Sequence, residues 1–234
     1  MYREAIQQLG RMYQENFPFP HIDLRIDSGV LPGIFPGIQH LAEDTLSEWP
    51  NVAQIADSRF DNALEKKFAV NSLEKITPSG RALIDLMNSP AFIEFLEALT
   101  GIKCLVADPA MIGGGYHEIP PGGKLGMHID FARHSVSSLY RRVNVLLYLN
   151  KGWRDNWGGE LILMNEAKAE KRIKPRFGTM VVFSTTASSW HGHPEPLSCP
   201  PGASRKSIAL YYYTVEPGGS VSNLDTKFME NYAP

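Results

Sequence analysis

The sequence predicts a mainly β protein with N-terminal helices, an α+β chain whose core is a sandwich or jelly roll. Three observations carry that expectation. Helical periodicity and helix caps are confined to the first hundred residues, short β-rich runs broken by Gly, Pro and Asn follow from Gly101 onward, and turn signals separate those runs at roughly even intervals. A chain of 234 residues, 43% hydrophobic and 21% charged, can bury a sizeable core, which excludes global disorder. The expected organisation is a helical buttress with one strand over 1–100, in the same domain as a β core over 101–215, then a C-terminal extension over 216–234.

In chain order, Tyr2 to Glu15 places Ile6, Leu9, Met12 and Tyr13 on one helical face. Phe17-Pro18-Phe19-Pro20 ends that helix, because proline disfavours the helical region for the residue before it. Ile22, Leu24 and Ile26 alternate with charged residues, as in a half-buried strand. A Gly/Pro-rich turn, Gly29 to Gly37, leads into a helix around Ile38 to Trp49, and residues 50–77 read as loop with at most a short helix. A helix over Gly80 to Met87 precedes the clearest local signal, Ser89 to Gly101. There Ser89 suits an N-cap, Pro90 the first helical position and Gly101 the left-handed position after the last turn. The predicted strands are 103–107, 110–117, 125–130, 142–149, 159–164, 170–174, 179–184 and 205–214, and the tail, with Gly218-Gly219, reads as a surface extension.

Charge and cysteine usage narrow the function classes. Twenty-three basic residues against 25 acidic leave no electrostatic footprint for nucleic acid or an anionic membrane. Cys104 and Cys199 are far apart and in no ligand pattern, which argues against a disulfide framework or zinc finger and fits a reducing compartment. The first residues lack the pattern of a secretory signal, and no apolar run approaches the roughly 18 residues of a membrane span, so the expected location is cytoplasmic.

His128-Ile129-Asp130 puts an imidazole and a carboxylate on one face of a predicted strand, about 7 Å apart and able to converge on one ion. A carboxylate inside a strand is costly unless something compensates its charge, and a metal would do so. Two imidazoles and one carboxylate on one face of an octahedron form the facial triad of non-haem Fe(II) oxygenases. The third ligand must then come from afar, and Ser189-Trp190-His191-Gly192-His193 offers two candidates. The tripeptide is weak evidence alone. Composition predicts roughly 0.3 His-x-Asp pairs by chance, and His21-Ile22-Asp23 is a second copy. Arg205 and Ser207 share a face at the start of an apolar strand, where an inward guanidinium requires an anion and matches a carboxylate fork to fork. Tyr148 can add a hydroxyl to the same anion.

These blocks together resemble the prolyl-4-hydroxylase-like Fe(II)/2-oxoglutarate oxygenases. The order is His128-x-Asp130, Tyr148-Leu149-Asn150-Lys151-x-Trp153, Gly158-Gly159-Glu160-Leu161, Pro175-x-x-Gly178, His191-Gly192 and Arg205-x-Ser207. The likeness covers about Leu99 to Thr214, and Phe17-Pro18-Phe19-Pro20-His21 is similar to bacterial members described as proline hydroxylases. The resemblance implies a double-stranded β-helix, the jelly roll that cupins share. It implies Fe(II) on His128, Asp130 and His191, with 2-oxoglutarate and O2 as cosubstrates and ascorbate as a candidate reductant. Arg205 and Tyr148 would hold the distal carboxylate of 2-oxoglutarate with Ser207 beside them, and Leu161 would form an apolar wall. Hydroxylation of a prolyl group, in a protein or a small molecule, is the implied activity. Tyr116, Arg142 and His193 are the candidate substrate-facing residues. The interval from His191 to Arg205 is longer than the family's, so Pro194 to Ala203 reads as an inserted loop, and Arg133 to Tyr140 as a mobile segment at the cleft mouth. Two other classes stay open: a non-catalytic cupin-like metal- or ligand-binding sandwich, which would prefer a closed ligand set, and a metal-dependent hydrolase, which has no use for an inward Arg205–Ser207 pair.

Overall fold

A computed structural model describes residues 2–108, 110–216, 225–230 and 232. Among the described residues six α-helices, α1 (Tyr2–Glu15), α2 (Leu31–Ile34), α3 (Ile38–Ser47), α4 (Val52–Ile55), α5 (Pro78–Met87) and α6 (Pro90–Thr100), all precede Gly101. Thirteen strands follow or interleave. The first seven are β1 (His21–Arg25), β2 (Ser58–Asp61), β3 (Lys66–Val70), β4 (Val106–Ala107), β5 (Gly115–Ile119), β6 (Leu125–Ile129) and β7 (Tyr140–Tyr148). The remaining six are β8 (Leu161–Met164), β9 (Glu170–Ile173), β10 (Thr179–Ser184), β11 (Trp190–His193), β12 (Arg205–Thr214) and β13 (Lys227–Phe228).

Local chemistry accounts for the helices. Ser89 adopts an extended backbone and its hydroxyl accepts the Phe92 N–H, while Gly101 closes α6 in the left-handed region. Thr77 caps α5 in the same way, accepting from Gly80 N. The apolar sides of α5 and α6 (Leu83, Ile84, Met87, Phe92, Leu96, Leu99) pack on Val143, Val145, Leu147, Val182, Ile208 and Leu210, the outer face of a large antiparallel sheet. Each such aliphatic or aromatic side chain, fully buried, contributes about 1.5–3 kcal/mol. The Tyr212 hydroxyl donates to Met87 O at 2.7 Å and ties the end of α5 to β12.

The large sheet runs β1-β10-β7-β12-β5-β3-β2, with β4 also on β12, and the small sheet runs β13-β6-β11-β8-β9. Every strand pair is antiparallel, the arrangement of a double-stranded β-helix with the site between the sheets.

Three sequence expectations are corrected. The N-terminal hundred residues supply three strands rather than one, because β2 and β3 form a hairpin in the stretch read as loop and extend the sheet past β5. β11, which carries His191, was not among the predicted strands. It lacks an apolar alternation, and its polar side chains face an internal cavity instead of solvent. The tail is more than a surface extension, since β13 pairs with β6 at Lys227↔Ile129 and Phe228↔His128. Gly218 and Gly219 lie outside the described residues.

Tyr116 is also corrected. It belongs to the core under the helices, fully buried, stacked on Trp49 with ring centroids 4.2 Å apart and hydrogen-bonded to Thr77 Oγ1 at 2.8 Å. The physical reason is strand alternation: Tyr116 pairs with Ile208, a helix-side residue, whereas His117 pairs with the inward Ser207. A Cβ placed on Gly80 would run into the Tyr116 ring and hydroxyl. Gly80→Ala is therefore expected to lower the unfolding free energy by about 1–3 kcal/mol. Tyr116→Phe alone should cost about 1 kcal/mol and recover part of the loss in the double variant. Urea denaturation of the three variants checks this, and an additive double variant would show that the two sites do not touch.

Candidate metal centre

The small sheet delivers three converging side chains. β11 pairs with β6 in a register that sets His191 directly across from His128, their ring centroids 4.3 Å apart, and Asp130 follows one residue after β6 ends. One ligand atom from each of His128, Asp130 and His191 lies within 4.8 Å of the others, the one such group of three among the described residues. The competing His21 instead meets Phe19 O at 2.8 Å on β1, with Asp23 exposed.

Both imidazoles are oriented from behind. His128 Nδ1 lies 2.9 Å from Gly126 O and His191 Nδ1 lies 3.0 Å from Ser189 O, contacts that place the N–H on Nδ1 and leave the Nε2 lone pair facing the shared space. Nothing fills a Cβ position at Gly126 or Gly192 without crowding. At Gly192 an added carbon would stand 2.6 Å from Gly126 O, so this glycine lets β11 approach β6 at the site, while Gly126 leaves room for Leu64 O and the Phe228 ring.

Asp130 is the charged element of the group. Its Oδ2 accepts from Asn144 Nδ2 at 2.7 Å and meets Arg141 Nη2 at 2.9 Å, with His191 Nε2 at 3.3 Å. Arg141 Nε also donates to Asn144 Oδ1 at 2.8 Å, closing a three-residue network. The guanidinium lies over the Tyr211 ring, 3.4 Å from its centroid, and near Phe131. Burial would raise the Asp130 pKa, but Arg141 and then His191 overcome it and hold the carboxyl well below the usual range. His128 is pushed down to about 3, chiefly by burial and next by His191, so its ring is neutral near pH 7. Two imidazoles whose Nε2 atoms face the shared space and one carboxylate make a donor set that fits a divalent first-row metal with coordination positions to spare.

A cavity of about 310 Å³ opens in front of these three residues. On its far side Leu161, Arg205 and Ser207 line the cavity, with Tyr148 reached through Arg205, and all four are buried. Arg205 Nε donates to Gly159 O at 2.8 Å and Nη2 donates to the Tyr148 hydroxyl at 3.0 Å. Gly159 has φ 74°, and a Cβ there would press on Arg205 Cδ at 3.0 Å, so glycine is required for the guanidinium to seat. No carboxylate lies within ion-pair distance of Arg205 among the described residues.

Arg142 is not in this cavity, and Arg141 takes its place. β7 alternates inward through Tyr148, Leu146 and Asn144, which by a period of two points to Arg142. The β7–β12 register shifts between Tyr212 and Tyr213 and turns Arg141 inward instead. Arg142 donates to Thr214 Oγ1 at 3.1 Å on the other side. Asn144 was readable from the Tyr148 alternation, whereas Arg141 needed the bulge. Sequence reasoning also missed the rim, formed by Phe60, Glu65 and Lys67 of the β2–β3 hairpin, His117, and Phe228 of the tail. The segment after Asp130 is an organised turn: Arg133 bridges to Tyr140, and His134 accepts from Val136 N and Ser137 N while facing Asp108 at 3.2 Å. The loop 194–203 packs Leu197 and Cys199 on Ile119 and Trp153.

A profile of the 2OG-Fe(II) oxygenase superfamily matches residues 114–213, the segment that carries all of these inward residues apart from the rim. The β core matches that superfamily over 114–213, and the match together with the His128–Asp130–His191 group indicates a 2-oxoglutarate-dependent dioxygenase with Fe(II) as its metal. A search of curated proteins finds no match. Among solved structures, the fold of the oxygenase is similar to a Pseudomonas putida prolyl-4-hydroxylase (15% identity, TM-score 0.56, covering 88% of this chain and 99% of that one). It is similar to a Trichoplax adhaerens prolyl hydroxylase in complex with a hypoxia inducible factor oxygen degradation domain peptide fragment (18%, 0.59, 90% and 91%). It is also similar to HygX from Streptomyces hygroscopicus with nickel, 2-oxoglutarate and hygromycin B bound (13%, 0.51, 83% and 82%). No helix among the described residues is long and apolar enough to cross a membrane.

The electrostatics predict how the metal-free oxygenase responds to acid. An unfolded chain protonates a histidine as the pH falls through 6.5, whereas folded His128 stays neutral down to about 3. Stability is therefore complete above pH 6.5 and falls as the pH drops toward 3, by up to about 1.4 kcal/mol per pH unit for this ring. Asp130 adds a loss of the same sign below its ordinary value of 3.8, as the pH falls through its depressed folded pKa. Urea midpoints of the metal-free protein should decline steadily from about pH 7 to 4.5, and His128→Gln should flatten the slope. Parallel profiles for the two proteins would refute the assignment.

Proposed function

We propose that this oxygenase hydroxylates a C–H bond of a prolyl group, carried by a protein or a small molecule, with release of succinate and CO2. The observation that carries this reading is the pairing of His128, Asp130 and His191 in one cavity with a buried Arg205 that has no carboxylate within ion-pair distance among the described residues. His128, Asp130 and His191 would hold the iron through Nε2 and a carboxylate oxygen. Arg205 and Tyr148 would bind the distal carboxylate of 2-oxoglutarate, with Ser207 adding a hydroxyl and Leu161 an apolar wall. Bound iron and 2-oxoglutarate together supply oxidative decarboxylation, one atom of O2 entering succinate and the other inserted into the substrate C–H bond.

The chain's own residues do the rest. Gly126 O and Ser189 O aim the two imidazoles. Asn144 and Arg141 hold Asp130 ionised and fixed, so a ligand carboxylate is present before any metal arrives. The apolar walls Leu125, Leu146 and Leu161 exclude water from the cavity. The aromatic and charged rim (Phe60, Lys67, His117, Phe228) is where a substrate would sit. The prolyl expectation draws its support from the two prolyl hydroxylases of the same fold, and the small-molecule form from HygX. Two free cysteines, one of them buried, support placing the enzyme in the cytoplasm. A non-catalytic cupin-like binding domain is disfavoured by the three-ligand set and by the separate anion receptor.

Two measurements test this reading. Mixed anaerobically with Fe(II) and 2-oxoglutarate, the protein should show a weak visible charge-transfer band. His128→Ala and His191→Ala should abolish it, and Arg205→Ala should weaken cosubstrate binding. A folded, iron-loaded protein with no band would favour the binding-domain alternative. Asn144→Leu keeps the side-chain volume but releases Asp130, and should lower affinity for Fe(II) by about 10–100-fold in an anaerobic competition titration. An unchanged affinity would show that Asn144 does not orient the ligand.

A further inference from the structure

His193 is a buried polar group that nothing above uses. It is 3% exposed, and among the described residues neither ring nitrogen has a hydrogen-bond partner. Buried donors and acceptors are nearly always paired, and leaving one unmet costs about 1–3 kcal/mol, so two unmet nitrogens on one ring mark a place where a ligand is missing.

Its position says which ligand. His193 follows His191 by two residues on β11, so both rings face the cavity about 7 Å apart along the strand. Across one ladder it pairs with Leu125. Across the other it stands one step beyond the Gly192↔Ile162 pair, beside Leu161. Leu125 and Leu161 leave it apolar company within its own sheet. Facing it from the large sheet is Arg205, whose Nε and Nη2 are engaged by Gly159 and Tyr148 and whose charge has no carboxylate nearby among the described residues. A five-carbon diacid held by its 2-oxo acid end at the His128–Asp130–His191 group spans a comparable distance and would bring its second carboxylate between Arg205 and His193. An imidazole carries an N–H in either protonation state, so the ring can donate whatever its charge.

We propose that His193 donates a hydrogen bond to the distal carboxylate of 2-oxoglutarate from the side opposite Arg205 and Tyr148. It is then a cosubstrate-binding residue and not a substrate-facing one. The proposal rests on the oxygenase reading of the cavity. It makes the anion receptor two-sided, one wall from each sheet, and so ties cosubstrate affinity to the spacing of the sheets.

The test titrates Fe(II)-loaded protein anaerobically with 2-oxoglutarate, then with pyruvate, a 2-oxo acid without the second carboxylate, following the charge-transfer band. His193→Phe removes the donor at similar volume, His193→Leu does so at smaller volume, and His193→Gln keeps an N–H. We expect Kd for 2-oxoglutarate to rise about 10–100-fold in the Phe and Leu variants, with substantial recovery in Gln, since a hydrogen bond to a charged group carries that much. Kd for pyruvate and affinity for Fe(II) should stay within about threefold of wild type, the scatter expected without a lost contact. An unchanged 2-oxoglutarate Kd in the folded Phe or Leu variant overturns the proposal, and so does an equal loss for pyruvate, which would signal altered packing. Absence of any band in the wild-type protein would instead overturn the oxygenase reading beneath it.

Discussion

The structure depends on keeping one carboxylate ionised between two apolar sheets. Asp130 sits where burial favours the neutral acid, and a neutral acid would neither accept Asn144 and Arg141 fully nor offer a metal a charged ligand. The compensation comes from Arg141, itself costly to bury. Tyr211 and Phe131 cover its planar faces, and Asn144 and Asp130 take its N–H edges. The bulge between β7 and β12 is therefore more than an irregularity, because without it the inward residue would be Arg142 and the carboxylate would lose its partner. A local shift of strand register, a cation and a ligand carboxylate form one dependent chain.

The two sheets divide the work. The large sheet is clamped on its outer face by α1, α3, α5 and α6, through contacts such as Tyr212 to Met87 O and Tyr13 to Ser184 Oγ. That rigid face lets its inner side carry Arg205, Tyr148 and Asn144 without distortion. The small sheet carries the converging histidines, and among the described residues no helix covers its other face, where Met127, Ile162 and Met164 pack on Trp190, Met229 and Tyr232. A ligand touching both walls would thus bridge the stiffer half of the molecule and the less supported one.

Much of this was legible because it rests on local rules. The capped helix Ser89 to Gly101 is where its Ser-Pro start and Gly end put it. Strand alternation correctly placed His128 with Asp130 and Arg205 with Ser207. What failed did so for identifiable reasons. Tyr116 and His117 are neighbours on opposite faces, and only the pairing of β5 with β12 says which one looks inward. Arg142 was the right choice for a regular strand and the wrong one for a bulged strand. β11 escaped notice because a strand lined by His191 and His193 has polar residues on its buried side, which inverts the usual signal. Sites break the rules by which folds are read, and the failures gather at the site accordingly.

The rim extends the same logic. β6 would be an exposed sheet edge beside the metal ligands, with backbone groups open to any passing strand. The tail closes it: Lys227 and Phe228 pair with Ile129 and His128, Met229 N donates to Met127 O, and the Phe228 ring lies 5.5 Å from that of His128. The β2–β3 hairpin covers the rest of the same edge, where Glu65 bridges to Leu125 and Gly126 N donates to Leu64 O, while Lys67 meets Glu65 at 3.1 Å and lies over Phe60. Both segments are far in sequence from the histidines they border, and neither carries a motif, since their task is to cover backbone and shape an opening. Chemistry common to many substrates needs fixed residues at fixed spacing, and so it can be read from one chain. Choice among substrates is set by short, weakly patterned segments whose position is decided by long-range pairing, and that part becomes readable only once the fold has brought them to the cavity.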